Sequence, residues 1–168
     1  YLCLNRRPHL YPLPVPRLCV GPWIFLQYQL IQFLKRNKPV IVFVASIRLC
    51  KLYARIYRWM FRCDFVSSQS EDKQEKIDAF KKGGMDVLFS TSILERGVTI
   101  PHVKVVIIDP EHQVFDLSSM IQMLGRVGRR FDDPVGECMI LSNRYSVKAK
   151  DTIKELKRLN EAEMFDVF

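Results

Sequence analysis

The sequence predicts an α/β fold in which a central, mostly parallel sheet carries helices on both faces. Strand-like and helix-like segments alternate along the 168 residues. The strand-like segments are short apolar runs without polar alternation, which is typical of parallel strands buried on both faces. A length of 168 residues is enough for one domain with its own core, and a hydrophobic fraction of 48% is typical of a globular protein.

Prolines and glycines mark several boundaries between the predicted elements. Residues 1–22 contain five of the nine prolines, so we predict an extended linker there and one domain over residues 23–168. The predicted helices cover residues 23–37, 47–62, 70–82, 117–124 and 146–163. The predicted strands cover residues 39–45, 63–66, 86–89, 104–109 and 136–141.

Positive charge is concentrated in the first third of the chain. The net charge is +8, and residues 1–63 contain eleven Lys and Arg but no Asp or Glu. Five of these cations recur at spacings of three and four on the predicted helix 47–62: Arg48, Lys51, Arg55, Arg58 and Arg62. This basic stripe is either a solvated helix face or a surface for nucleic acid or an acidic partner. Tyr53, Tyr57 and Trp59 lie on the other faces and are expected in the core or an interface.

The cysteine pattern argues against a zinc-binding or disulfide-stabilised protein, and the hydropathy argues against a membrane-spanning protein. The five cysteines are scattered and form no Cys-x-x-Cys pair, so we expect reduced thiols in a cytosolic chain and no zinc site. No apolar run reaches the roughly 18 residues that a membrane span needs. The chain lacks an initiator Met and is expected to be part of a longer protein.

Residues 122–130 repeat a glycine-arginine pair. Arg126 follows Gly125, and Arg129 follows Gly128. At a helix end, residues three apart lie on the same face, so the two guanidinium groups can contact one ligand. Such a pair favours binding of an anion with delocalised charge, such as a phosphoryl group. The alternative is a basic loop with turn glycines.

Three segments in order resemble the motifs of superfamily 2 helicases. The stretch Gln122-x-x-Gly125-Arg126-x-Gly128-Arg129 resembles motif VI. Residues 90–101, with a threonine five residues before Arg96-Gly97, resemble motif V, and the run from Val40 to Ser46 resembles motif IV. The match covers residues 38–144 and implies the second, RecA-like domain of such a helicase.

The amino-acid sequences of motifs V and VI, residues 93–99 and 125–129, are similar to those of the ComFA family of late-competence DNA-uptake helicases. The leader from Arg6 to Pro16 and the tail over residues 153–160 are also similar to that family. The resemblance implies a C-terminal motor domain of an ATP-dependent, single-stranded DNA translocase in the cytoplasm. Its implied partners are DNA, the N-terminal RecA-like domain, and competence or membrane-channel proteins at the inner face of the membrane.

The resemblance also implies a set of nucleotide contacts. Arg126 and Arg129 are expected to contact the γ-phosphate of ATP bound with Mg²⁺, which the missing N-terminal domain mainly holds. Further nucleotide contacts are expected from Gly97, Thr99, Gln122 and Gly125. Many relatives carry an acidic residue where this chain has Thr99, and this departure favours the DNA-uptake family over DEAD-box RNA helicases.

Nucleic-acid contacts are expected from residues that follow two predicted strands. Thr91 matches the motif V threonine that touches the nucleic-acid backbone, although a threonine there also serves as a helix N-cap. Ser46 and Arg48 open the helix after the first strand, where backbone N–H groups favour phosphate. Lys51 and Arg55 extend this track along the basic stripe.

Two alternatives to the DNA translocase stay open. One is the C-terminal domain of an RNA or DNA-repair helicase, which stimulation of the complete ATPase by RNA or DNA would distinguish. The other is an interaction module that has lost catalysis, which a missing N-terminal partner domain in the gene would favour.

The isolated chain should not hydrolyse ATP, with or without DNA. The reason is that it contains no Gly-x-x-x-x-Gly-Lys-Ser/Thr phosphate loop and no Asp-Glu-x-His box for Mg²⁺. Phosphate release by the purified chain should equal that of its Arg126→Ala variant. Turnover above that level in a contaminant-free sample would contradict the prediction.

Overall fold

Six parallel strands form one sheet in the computed structural model of the protein, which describes residues 14–91, 102–125 and 137–166. The strands are β1 (Arg17–Val20), β2 (Val40–Phe43), β3 (Cys63–Val66), β4 (Val87–Ser90), β5 (Lys104–Ile108) and β6 (Cys138–Ser142). Their order across the sheet is β1-β6-β5-β2-β4-β3. Every hydrogen-bonded pair in this sheet is parallel. In the strand order, β2 lies centrally between β5 and β4.

Within the described residues, five helices cover the sheet on both faces. They are α1 (Trp23–Arg36), α2 (Ile47–Tyr57), α3 (Lys73–Lys81), α4 (Leu117–Leu124) and α5 (Val147–Asp166). Val40 and Val42 of β2 pack in the same core as α1 and α2, whereas Ile41 and Phe43 pack with α3, α4 and α5. This alternation explains why β2 is buried throughout and why its sequence shows no polar alternation.

A hydrogen-bonded seam joins α1 to α2. The Gln27 amide nitrogen donates to the Tyr53 hydroxyl at 2.8 Å, and the Tyr57 hydroxyl donates to the Gln27 amide oxygen. Both tyrosine rings contact Phe89 of β4, with ring centroids 5.5 and 5.7 Å away. The expected core position of the two tyrosines is confirmed, whereas Trp59 is 91% exposed and is not a core residue.

The structure differs most from the sequence prediction at two boundaries; in addition, α3 begins at Lys73 rather than at residue 70, and α5 ends at Asp166 rather than at residue 163. Arg17–Val20, predicted as linker, forms the edge strand β1, which pairs with β6 from Arg17–Met139 to Val20–Ser142. An edge strand needs neighbours on one side only, so the prolines just before it do not prevent pairing. The second predicted helix ends at Tyr57 rather than at residue 62, because residues 58–61 turn the chain towards β3.

The described cysteines and helices give two further facts. Cys19, Cys50, Cys63 and Cys138 form no disulfide among the described residues, and burial raises the pKa of Cys50 to about 12. Among the helices in the described ranges, none combines the length and hydropathy that crossing a bilayer requires.

Candidate nucleotide and nucleic-acid interface

The carboxyl ends of the parallel strands meet at one edge of the sheet, where ligands bind in open α/β folds. Phe43 of β2 lies opposite Ser90 of β4, and the Val44 amide donates to the Ser90 carbonyl at 2.8 Å. Ser46 and Thr91 therefore emerge from neighbouring strands at this edge, although they are far apart in the sequence. The fold places these two predicted nucleic-acid residues at the same edge of the sheet, after neighbouring strands.

Ser46 is the N-cap of α2. Its hydroxyl oxygen accepts a hydrogen bond from the Leu49 amide at 3.3 Å, which satisfies one of the free N–H groups in the first turn. The remaining first-turn amides and the positive end of the helix dipole lie at the carboxyl edge. This end of α2 is suited to bind a phosphate group, with Arg48 exposed in its first turn.

The basic stripe is shorter than the sequence predicts. Arg48, Lys51 and Arg55 are exposed on α2, and Arg58 caps its C-terminal end. Arg62 lies beyond the helix, and its guanidinium is 3.0 Å from the Asp86 carboxylate. The prediction of five cations on one helix is therefore wrong for Arg62. Within the described residues, no ion pair is found for the other four.

The predicted nucleotide residues that the structure describes lie in the last turn of α4. Gln122 is half-buried, and Gly125 is the buried C-cap, whose amide donates to the Ile121 carbonyl at 2.8 Å. Gly125 has a φ of −64°, so its backbone conformation does not itself require glycine. The other predicted nucleotide residues lie outside the described ranges: Gly97, Thr99, Arg126 and Arg129.

A clamp that the sequence analysis missed fixes the loop between β5 and α4. The Lys148 ammonium group donates to the carbonyls of Glu111, His112 and Phe115 at 3.4, 3.1 and 3.0 Å. The Glu111 carboxylate accepts from the Ser146 hydroxyl at 2.7 Å and from the Lys148 amide at 3.1 Å. The start of α5 is thereby tied to the residues that lead directly into α4.

The charge state of Glu111 contributes to this clamp. The hydrogen bond from the Ser146 hydroxyl and the one from the Lys148 amide lower the pKa of Glu111. Its stabilising contribution is present above the unfolded carboxyl pKa of about 4.3 and is lost as pH falls through the lower folded pKa. Ser146, three residues before Ala149, is a typical N-cap residue, so the start of this helix is readable from the sequence. No local sequence pattern indicates where the Lys148 side chain reaches.

Residues 26–131 match the model of the helicase conserved C-terminal domain family. The chain belongs to this family. It is 38% identical over 130 residues to the competence protein ComFA of Streptococcus pneumoniae, which covers 76% of this chain and 30% of that protein. It is 32% identical over 174 residues to ComFA of Bacillus subtilis, which covers 92% of this chain and 36% of that protein. The chain thus spans about a third of the length of these relatives.

Solved helicases share the fold of this helicase C-terminal domain. The Mycobacterium smegmatis helicase Lhr, bound to single-stranded DNA and AMP-PNP, superposes with a TM-score of 0.71 at 16% identity, covering 86% of this chain and 22% of Lhr. A single-substitution variant of S. cerevisiae Dbp5, bound to RNA and ADP with BeF3, gives a TM-score of 0.68 at 19% identity, covering 91% of this chain and 41% of Dbp5. The predicted RecA-like fold is confirmed.

Replacing Lys148 should loosen the start of α4. Lys148→Met keeps most of the aliphatic side chain but removes three hydrogen bonds from a charged donor; because Lys148 is only half-buried and one bond is 3.4 Å long, we expect a loss of about 2–3 kcal/mol, below the sum for three buried bonds. We expect the thermal unfolding midpoint to fall by about 5–10 °C, measured by circular dichroism.

Lys150→Met is the matched control for this change. Lys150 lies two residues further along α5 and contacts the exposed Tyr145 ring with its ammonium group 4.3 Å from the centroid. Its removal should shift the midpoint by less than about 2 °C, since surface substitutions away from such networks usually change stability by under 0.5 kcal/mol. Equal shifts for the two variants would show that the clamp does not stabilise the fold.

Proposed function

We propose that this chain is the C-terminal motor domain of an ATP-dependent, single-stranded DNA translocase that drives DNA uptake in bacterial competence. The observation that carries the proposal is the similarity to two ComFA proteins over 76% and 92% of the chain. Because the chain spans about a third of those proteins, the proposed activity belongs to a longer protein. Competence or membrane-channel proteins are its proposed partners.

In the proposed mechanism, ATP with Mg²⁺ binds mainly to an N-terminal RecA-like domain, and the present domain closes onto it. Arg126 and Arg129 stabilise the charge that develops on the γ-phosphoryl group. Gly97, Thr99, Gln122 and Gly125 complete the nucleotide contacts. The position of Gln122 and Gly125, in the last turn of α4 immediately before Arg126, supports this assignment.

The proposed DNA track begins at the carboxyl edge, where Ser46 and Thr91 emerge from adjacent strands. DNA phosphates bind the first turn of α2 and the Arg48 side chain, and Lys51 and Arg55 continue the track along the exposed face of the helix. Support comes from the helix N-terminus at this edge and from the lack of carboxylate partners for these cations among the described residues.

A repair or RNA helicase is the second candidate function. The chain is 33% identical over 86 residues to the ATP-dependent DNA helicase RecG of Streptococcus pneumoniae, which covers 51% of this chain. Single-stranded DNA should stimulate the ATPase of the full-length protein more than RNA of the same length and composition. Greater stimulation by RNA would favour an RNA helicase over both the DNA translocase and a DNA-repair helicase.

In the full-length protein, Arg129→Ala should lower kcat far more than it raises the Kd for ATP. An arginine that contacts the γ-phosphoryl group acts on charge in the transition state, and its loss lowers the rate by about 10³–10⁵-fold. Arg126→Ala should behave similarly. DNA-stimulated turnover and fluorescent-nucleotide binding measure the two effects separately.

Arg158→Ala is the control, because Arg158 pairs with Glu155 on α5, at 2.6 Å between nitrogen and oxygen. It should keep the turnover of the unmodified protein. Near-normal turnover in Arg126→Ala or Arg129→Ala would contradict the role assigned to that residue. The translocase proposal itself would then be tested by the DNA experiments.

Replacing Arg48 and Lys51 together with Gln should weaken binding of single-stranded DNA equally for all sequences. Phosphate contacts release counterions, so each lost contact should flatten the slope of log K against log salt by roughly 0.7. The double variant should therefore lose about 1.4 from the slope, measured by fluorescence anisotropy between about 50 and 200 mM salt.

Arg62→Gln provides the control at the other edge of the sheet, where Arg62 pairs with Asp86. It should leave both affinity and slope unchanged. An unchanged slope in the Arg48 and Lys51 double variant would make this face of α2 a solvated surface rather than a DNA track.

A further inference from the structure

An apolar row runs along the exposed side of α2 and the turn after it. Its members are Leu52, Ile56, Trp59 and Met60, of which Trp59 is 91% exposed and the others about half exposed. Their spacings of three and four residues place them along one side of the chain as it leaves the helix. Single exposed apolar side chains are ordinary, but a contiguous row of them indicates an interaction surface.

Exposed apolar side chains also lie on α1, the helix beside α2. The bonds from Gln27 to Tyr53 and Tyr57 show that α1 and α2 lie side by side on the same face of the sheet. Ile24, which is 86% exposed, and Tyr28 are close in sequence to Gln27 and are also exposed. No charged residue occurs between Trp23 and Leu34. We call these six side chains the α1–α2 apolar surface: Ile24, Tyr28, Leu52, Ile56, Trp59 and Met60.

Cations border this surface on one side. Arg55 precedes Ile56, and Arg58 precedes Trp59; both are exposed, and neither has an ion-pair partner among the residues that the structure describes. Trp, Met and Arg are enriched in protein–protein interfaces, and Trp and Arg are frequent among their dominant residues. The surface therefore combines apolar anchors with uncompensated positive charge.

We propose that the α1–α2 apolar surface docks an amphipathic helix of a partner protein that carries Asp or Glu beside its apolar stripe. Leu52 and Met60 are eight positions apart, which corresponds to at most about 12 Å along α2 and the turn that follows Tyr57, and this length matches about two turns of a partner helix. Two helices side by side leave a groove into which a third helix packs its apolar side chains. Acidic residues on the partner would then face Arg58, which lies outside the proposed DNA track.

Other occupants fit this surface less well. Trp59 and Met60 precede β3, so they lie towards the amino ends of the strands, opposite the edge formed by Ser46 and Thr91. A domain that closes on the carboxyl edge would therefore leave them uncovered. A symmetric contact with a second copy would bring two sets of the same cations together, which costs free energy. Bases of single-stranded DNA stack on aromatic rings, whereas most of this surface is aliphatic.

The chain's two tryptophans make a direct test possible. In a Trp23→Phe variant, Trp59 is the one remaining tryptophan and reports on the proposed surface. The probe is a synthetic 18-residue helix with a leucine stripe flanked by glutamates, compared with the same peptide carrying lysine in place of glutamate. We expect the acidic peptide to shift Trp59 emission to the blue, with at least tenfold tighter binding than the lysine peptide.

Two variants in this background test the surface itself. Ile56→Glu should weaken binding of the acidic peptide at least tenfold, and Arg58→Gln should weaken it several-fold and reduce its salt dependence. Val147→Glu alters a similarly exposed aliphatic residue on α5, on the opposite face of the sheet, and should bind the peptide like the parent. Circular dichroism must show the same helix content for all variants.

Four outcomes would overturn the proposal. They are equal binding of the two peptides, an unchanged affinity in Ile56→Glu, a blue shift that the protein shows on self-association without peptide, and a stronger response to a dT20 oligonucleotide or to phosphatidylserine vesicles. None of these measurements depends on ATP hydrolysis. Failure here would therefore leave the proposed translocase function untouched, and the reverse also holds.

Discussion

Burial of the central strand β2 on both faces is the constraint on which the rest of this structure depends. Residues 40–43 are almost inaccessible to solvent, and they pair with β4 on one side and β5 on the other. Because successive side chains point to opposite faces, the strand needs one helical layer for Val40 and Val42 and another for Ile41 and Phe43. Parallel neighbours joined by helical crossovers supply both layers, and they bring every strand's carboxyl end to one edge.

The two edges of the sheet consequently differ in charge pairing. At the amino edge, one carboxylate just before β4 pairs with cations just before the two neighbouring strands: the Asp86 carboxylate lies 3.0 Å from Arg62 and 3.8 Å from Lys38. At the carboxyl edge, Arg48 beside the N-terminus of α2 has no such carboxylate partner among the described residues. An anionic ligand at the carboxyl edge therefore meets available positive charge, whereas at the amino edge it would compete with Asp86.

Local sequence patterns predicted most of the elements because burial on both faces leaves short apolar runs that end at Gly, Pro or a capping side chain. They missed β1, in which only Cys19 is buried and the preceding prolines favour a linker. They also placed Arg62 on α2, since charge spacing shows periodicity but does not show where the chain turns. The bonds from Lys148 to the loop before α4 join residues more than thirty positions apart, and no helix or strand period encodes such a contact. The residues of the three motif-like segments identified the family. Their contacts to nucleotide or DNA also depend on groups outside this chain, which its sequence does not describe.

The stability of α2 shows how this helix can retain uncompensated charge. Successive cations at positions 48, 51, 55 and 58 repel one another, and like-charge pairs at these spacings cost about 0.2–0.5 kcal/mol each, or about 1 kcal/mol together. The Ser46 cap contributes roughly 1 kcal/mol in the opposite direction. Packing of Tyr53 and Tyr57 against Phe89 adds the larger contribution of two buried aromatic side chains. The buried side of α2 therefore stabilises the helix independently of its exposed side, so the exposed side is free to present cations at the carboxyl edge and an apolar row towards the amino edge.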